Sequence, residues 1–302
     1  MKPAPFKYYA PATVKEALSR LAEHGWDAKV LAGGQSLIPM MNFRLAQPAI
    51  LVDLNNVSEL SYIRPVRDGG LLVGAMTRQR QLERDPLVAE RAPMIHAAMP
   101  KVAYSQIRSR GTLGGSIAHA DPSAELVAAS VALNGRLRLR RGTAERWVPA
   151  SEFFVGLFTT VLEPDELLVE VALPPMPGRS GWSFLEVARR HHDFALVGVA
   201  AVVILDRKDR CEESRLVFFS VGDGPMEAHQ AGALLKGQAP TPEAIQEAAE
   251  VAGNVDLDPS SDINASADYR RHLAKVLGRR ALTEAFERAS QGKAEAKAQP
   301  SP

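Results

Sequence analysis

Two glycine pairs about eighty residues apart constrain this chain more than any other feature of it. The first stands in Ala32-Gly33-Gly34-Gln35-Ser36. The second stands in Thr112-Leu113-Gly114-Gly115-Ser116-Ile117-Ala118-His119-Ala120-Asp121-Pro122. Each adjoins an apolar stretch and sets glycines beside small hydroxyl residues. Paired glycines let a backbone turn sharply and present consecutive N–H groups, the geometry a phosphate demands. Two such turns imply one ligand with an extended phosphate bridge, a dinucleotide, held from both sides. Neither turn carries the G-x-G-x-x-G fingerprint of a Rossmann domain, and neither ends in the Gly-Lys-Ser/Thr of a P-loop. What remains is a cofactor clasped between two domains by backbone amides and small hydroxyls.

At 302 residues the chain is long for a single core, so two or three domains are expected. Its net charge of +1 gives no reason to expect nucleic acid or an anionic membrane as a partner. Cys211 is the only cysteine. That excludes an internal disulfide, a cysteine-based zinc site and an iron–sulfur cluster ligated by this chain alone. The longest apolar run, Ala195 to Leu205, is too short to cross a bilayer and suits a buried strand. The opening residues Met1 to Phe6 lack the apolar core of a signal peptide, so a cytoplasmic protein is expected.

The chain divides into parts. In residues 1–55, Thr13-Val14-Lys15-Glu16 fits a capping box ahead of Val14, Ala17, Leu18 and Leu21 at helical spacing. Ala28–Leu31 and Ile50–Asp53 read as strands, the first running into the first glycine pair. Residues 56–175 hold a strand at Leu71–Gly74, a helix expected over Leu87–Met99 and an apolar helix from Ala124 to Leu133. Arg136, Arg138 and Arg140 alternate with leucines at period two; this reads as a strand with one wet face, with an anion site as the competing reading. Leu167–Leu173 adds a strand before the proline-rich break Pro174–Gly178. Residues 179–289 hold strands at Trp182–Ala188, Ala195–Leu205 and Leu216–Val221, followed by helices at Pro242–Ala252 and Ala265–Ala289. Strands first and helices after indicate an α+β layer. Residues 290–302, small and polar, read as an unstructured tail.

Three separated elements carry a resemblance to a known family: Ala32-Gly33-Gly34-Gln35-Ser36-Leu37, then Thr112-Leu113-Gly114-Gly115-Ser116 with Asp121-Pro122, then Arg189-Arg190-His191-His192-Asp193-Phe194-Ala195. In order and spacing they resemble the FAD-binding medium subunit of molybdenum hydroxylases, which includes xanthine dehydrogenase and aerobic carbon monoxide dehydrogenase. The resemblance covers about residues 3 to 288. It implies an α+β protein: a two-domain FAD-binding fold of the vanillyl alcohol oxidase (PCMH) type, then an α+β domain of the carbon monoxide dehydrogenase flavoprotein type. It implies noncovalent FAD, with the diphosphate on the amides of Gly33, Gly34, Gln35 and Ser36 beside Ala32 and Leu37. Thr112, Gly114, Gly115 and Ser116 would approach from the second domain, Asp121 or Glu125 would accept ribose or adenine hydrogen bonds, and Phe194 would lie against the isoalloxazine. No catalytic acid or base and no metal ligand is implied on this chain.

The resemblance further implies a division of labour. A large molybdenum–pterin subunit performs the hydroxylation, and a small subunit with two [2Fe–2S] clusters passes single electrons to the FAD. An external acceptor then receives them, and a dimer of heterotrimers is the implied assembly. Two other readings stay open: a self-sufficient FAD oxidase or reductase of the same flavin fold, and a flavin-free scaffold subunit. His191-His192 departs from the family pattern. Adjacent residues of a regular strand point to opposite faces, which argues against one metal between them. His119, inside the second glycine segment, invites a covalent flavin link that the family pattern does not require.

Overall fold

The computed structural model describes residues 2–298, with side chains through residue 291. Two compact units compose the chain: Met1–Ala120 with Asn134–Pro174, and Asp121–Leu133 with Pro175–Pro302. The two FAD-binding subdomains expected over 1–55 and 56–175 therefore lie largely within one unit. The excursion 121–133 belongs to the other.

In the first unit, β1 (Lys7–Tyr9), β2 (Ala28–Leu31) and β3 (Ile50–Asp53) form a parallel sheet in the order β1-β3-β2. Helix α1 (Val14–His24) joins β1 to β2 and buries Val14, Ala17, Leu18 and Leu21 on one stripe. Its start is close to the expected capping box. The Thr13 hydroxyl accepts from Glu16 N at 3.2 Å, but the Glu16 carboxylate takes Ala12 N at 2.9 Å, one residue further out. Helix α2 (Leu37–Asn42) lies between β2 and β3.

After β3 come β4 (Ile63–Pro65), β5 (Leu71–Gly74) and five short helices: α3 (Gln79–Arg84), α4 (Pro86–Arg91), α5 (Pro93–Ala98), α6 (Ser105–Arg110) and α7 (Leu113–His119). The single helix expected over Leu87–Met99 is corrected to two. Pro93 has no N–H to continue the ladder, so it opens a new helix rather than sitting inside an old one. The unit resumes with β6 (Arg136–Arg141), β7 (Ala144–Pro149), the small hairpin β8 (Phe154–Gly156) and β9 (Thr159–Thr160), and β10 (Leu167–Leu173). The larger sheet is antiparallel in the order β4-β5-β10-β6-β7. One core joins the two sheets: α1, Val52 and Leu54 pack with Met76, Leu167 and Val169.

In the second unit, β11 (Ser180–Ala188), β12 (Ala195–Leu205), β13 (Cys211–Phe219) and β14 (Met226–Glu227) run as an antiparallel meander. Helix α8 (Glu125–Ala132), buried at every position, packs on β12 and β13. The helices His229–Leu235, Pro242–Val251 and Ala267–Ala298 complete the unit. Strand β12 is buried at nearly every position, which explains why it is apolar throughout rather than alternating. Gly198 of β12 lies opposite Phe219, whose ring covers it and stacks on Phe184 at 5.5 Å. Helix Ala267–Ala298 extends through much of the stretch expected as an unstructured tail; residues 299–302 lie outside the described residues.

Candidate functional site

The first glycine pair lies where β2 ends. In a parallel sheet, ligands gather in the crevice beyond the carboxyl ends of the strands, and here β2 and β3 both finish at one cavity of about 370 Å³. Leu31 to Gln35 form one wall, Asp53 and Asn55 another, and Ile38, Pro39, Ile107 and Arg110 close it. Gly34 takes φ +74°, a left-handed conformation that glycine adopts without cost. Among the described residues, the amide N–H groups of Gly33, Gly34, Gln35, Ser36 and Leu37 have no acceptor within the chain. Five consecutive unspent donors are a cradle for an anion.

Gly33 serves a different purpose. It is buried, and a Cβ there would run into the Arg110 carbonyl and stand 2.8 Å from Gly111 Cα. Gly115 is equally confined: a Cβ would lie 2.6 Å from Thr112 Oγ1 and 3.2 Å from Ala32 Cβ. The two glycine segments thus meet back to back within the first unit.

The second segment differs from the turn expected of it. It is the first turn of α7, with Thr112 as N-cap, and neither Gly114 nor Gly115 has a positive φ. Its amides are already used. Leu113 N donates to Thr77 O at 3.0 Å and Gly114 N to Ala75 O at 2.8 Å. Gly115 N donates to Thr112 Oγ1 at 3.0 Å and Ser116 N to Thr112 O at 3.1 Å. The Thr112 cap and the carbonyls of Ala75 and Thr77 together consume the donors that a phosphate would need. What this segment offers toward a ligand is the Ser116 hydroxyl; its glycines permit close packing, with Gly114 against Ala75.

A polar network that the sequence reading missed holds the first loop in place. Asn55 Nδ2 donates to Ala32 O at 3.0 Å and to the Asp53 carboxylate. Asp53 also accepts Asn55 N at 2.8 Å and the Tyr8 hydroxyl at 2.6 Å. Arg78 donates to Asn55 Oδ1 at 2.6 Å and to the Arg110 carbonyl. Burial, then the neighbouring charge of Arg110, lowers the Arg78 pKa from its ordinary value, while Asp53 opposes the shift. The exposed Arg110 guanidinium adds positive charge at the cavity wall. The available sequence signal was two polar residues, Asp53 and Asn55, at and just beyond the end of an apolar strand.

The other expected residues flank this loop or belong to the second unit. Ser36 is exposed at the start of α2 and makes no cap bond, and Leu37 is half-buried. Asp121, Glu125 and Phe194 belong to the second unit. The Asp121 carboxylate accepts Ser123 N at 2.9 Å, Glu125 is buried at the first turn of α8, and Phe194 is 71% exposed. The His119 ring packs at a tilt against Phe158, centroids 5.1 Å apart. His191 and His192 are corrected: they stand in a turn rather than on a regular strand. His192 has φ +68°, which brings the two rings face to face at 4.6 Å.

The donor set fits a diphosphate: free amides, a hydroxyl and a guanidinium, with Leu31, Ile38 and Pro39 as apolar walls. The model of the FAD binding domain in molybdopterin dehydrogenase matches residues 4–176, and that of the CO dehydrogenase flavoprotein C-terminal domain matches residues 182–285. The chain is 38% identical over 289 residues to the 6-hydroxypseudooxynicotine dehydrogenase complex subunit alpha of Paenarthrobacter nicotinovorans, covering 96% of this chain and 97% of that one. It is 37% identical over 290 residues to the carbon monoxide dehydrogenase medium chain of Hydrogenophaga pseudoflava, covering 95% and 99%. A solved carbon monoxide dehydrogenase from that organism, which lacks the Mo-pyranopterin moiety, matches with TM-score 0.91 and 38% identity over 95% of this chain and 99% of that one.

Proposed function

The chain belongs to the FAD-binding medium subunits of the molybdenum hydroxylases, and on that premise we propose that it is the electron relay of an oxidoreductase complex. It takes electrons from [2Fe–2S] clusters on a small subunit and passes them to an external acceptor. The observation that carries the reading is the run of unspent amides from Gly33 to Leu37 over the cavity at the ends of β2 and β3. Bound FAD supplies the redox chemistry, accepting electrons singly or in pairs. The chain's own residues bind and orient it. The Gly33–Leu37 amides and the Ser36 hydroxyl hold the diphosphate, Arg110 offsets its charge, and Asn55 with Arg78 fixes the loop. Ser116 offers a further hydroxyl. On the resemblance alone, Asp121 or Glu125 accepts from ribose or adenine, and Phe194 is the ring-facing aromatic.

Cys211 is the only cysteine and is buried, so the clusters belong to a partner. A large molybdenum–pterin subunit completes a heterotrimer, paired into a dimer of trimers in the cytoplasm. No helix among the described residues is long and apolar enough to cross a membrane. The test is to purify the chain with and without its partners, release the cofactor and titrate flavin-stripped protein with FAD. The expected result is saturable FAD binding, with molybdenum and iron only in the partner-containing sample. Failure of added FAD to bind in both preparations overturns the assignment.

A further inference from the structure

The arginines of β6 play no part in the cofactor cavity, and they lie on a sheet face organised to display charge. Arg64 of β4, Leu72 of β5, Ala172 of β10 and Arg136 of β6 are Cα partners in one row across four strands, so their side chains share a face. The neighbouring row holds Tyr62, Gly74, Glu170, Arg138 and Trp147. Gly74 makes this second row possible. A Cβ there would run into the Leu60 carbonyl and stand 2.9 Å from Tyr62 Cδ1, so the bare backbone admits that segment and lets the ring lie across β5 with its hydroxyl donating to Glu170. Glu170, 4% exposed, pairs with Arg138 Nε at 3.3 Å, and Arg138 stands 5.7 Å from the Trp147 ring.

These two fixed rings carry the outer arginines. The Arg64 guanidinium lies 4.2 Å over the Tyr62 ring, and that of Arg136 lies 5.4 Å over Trp147. Both arginines are exposed, and among the described residues neither has a carboxylate partner. Stacking on a buried or braced ring holds a side chain that would otherwise be mobile and leaves its N–H fork free for an anion.

Spacing identifies the occupant. Three inter-strand steps separate Arg64 from Arg136, roughly 14 Å, so one small anion cannot bridge them. A nucleic-acid backbone calls for a continuous basic field. Here Glu145 and Glu170 share the face and the chain's net charge is only +1. Four residues of extended polypeptide also span roughly 14 Å, and residues i and i+4 of a strand point the same way. Between the arginines, Leu72 and Ala172 are half-buried and apolar.

We propose that this face docks an acidic extended segment of a partner subunit, two carboxylates four residues apart engaging Arg64 and Arg136 over Leu72 and Ala172. The proposal rests on reading the chain as one subunit of a larger complex. It is tested on the complex of this chain with its molybdenum- and iron–sulfur-bearing subunits, comparing wild type with the double variant R64E/R136E in sedimentation at low and high salt. Loss of association by tenfold or more, matched by salt in the wild type, is expected. Hydrogen exchange should slow over residues 62–65 and 136–141 on assembly. Unchanged association of R64E/R136E, or no protection of these strands in the wild-type complex, overturns it. So does salt-sensitive pairing of the isolated chain with itself that the double variant abolishes, since a second copy then occupies the face. If the charge reversal unfolds the chain, R64Q/R136Q and the exchange measurement decide. FAD titration of the isolated chain, which does not involve this face, separates failure here from failure of the cofactor assignment.

Discussion

Gly33 and Gly34 adjoin one another yet are needed for different reasons, and substitution should separate them. Alanine at Gly34 meets a left-handed backbone that costs an L-residue about 1–2 kcal/mol. Relaxing that strain re-aims the amides, so the FAD Kd should rise about tenfold while stability falls by no more than about 1–2 kcal/mol. Alanine at Gly33 meets the Arg110–Gly111 backbone, which cannot move aside as a flexible side chain could. Gly33→Ala should lower stability by about 1–3 kcal/mol as well as weaken FAD. Fluorescence titration of flavin-stripped protein, beside a melting curve, distinguishes the two outcomes. Asn55→Asp is a sharper probe of the missed network. It removes the bond donated to Ala32 O and sets a second carboxylate beside Asp53, so FAD binding should weaken about tenfold. An unchanged Kd in this variant would mean that the loop holds its shape without Asn55.

Among the elements, the C-terminal helix Ala267–Ala298 shows how one buried charge ties a unit together. Arg270, 7% exposed, donates to Leu196 O and Ser220 O, both at 2.7 Å, and to Asp262 at 2.7 Å. Arg270→Met leaves two buried carbonyls without their donor and takes one of three donors from the Asp262 carboxylate, and should destabilise the protein by about 3 kcal/mol in denaturant unfolding. The Asp262 carboxyl is held down to about 2, first by the N–H groups of Ala265 and Asn264 and then by Arg270. Its folded pKa lies below the unfolded value of about 3.9. The stabilisation is therefore complete above about pH 4 and is lost as pH falls toward 2. Asp262→Asn should flatten that part of the stability–pH curve, and an identical acid slope in the variant would remove Asp262 from the account. The same scale explains why the second glycine segment is a helix start. Thr112 ahead of a short apolar stretch is an N-cap signal, but the turn carbonyls of Ala75 and Thr77 that absorb its amides come from another part of the chain.

At the scale of the whole molecule, the proline-rich stretch after β10 is one of three places where the chain passes between units. Residues 121–133 leave the first unit, lay α8 on β12 and β13, and return. Cutting at Pro174–Gly178 therefore does not yield a complete second unit. A fragment of residues 179–302 should aggregate or bind a hydrophobic dye. Adding a peptide of residues 121–133 should restore solubility, as measured by light scattering and circular dichroism. A monomeric, cooperatively folded fragment without that peptide would show α8 to be dispensable.

Local chemistry decided much of this protein before any tertiary contact was considered. The capped helix α1, the strands Ala28–Leu31, Ile50–Asp53, Leu71–Gly74 and Ala195–Leu205, and the first glycine loop follow from caps, periodicity and backbone freedom, which act over a few residues. The membership in the flavin-binding family was legible from three short motifs. Tertiary structure decided the rest. The sequence does not state that β1 and β2 flank β3 in a parallel sheet, so it could not bring Asp53 and Asn55 to the mouth of the glycine loop. It could not show that the Leu113 and Gly114 amides of the second glycine segment are spent, because their acceptors, Thr77 O and Ala75 O, lie some forty residues upstream. Nor could it show that Arg136 and Arg138 of β6 lie over the Trp147 ring of β7. Hydrogen-bond partners and sheet neighbours are set by which distant segments bury their apolar surface together, and that is a property of the folded chain as a whole.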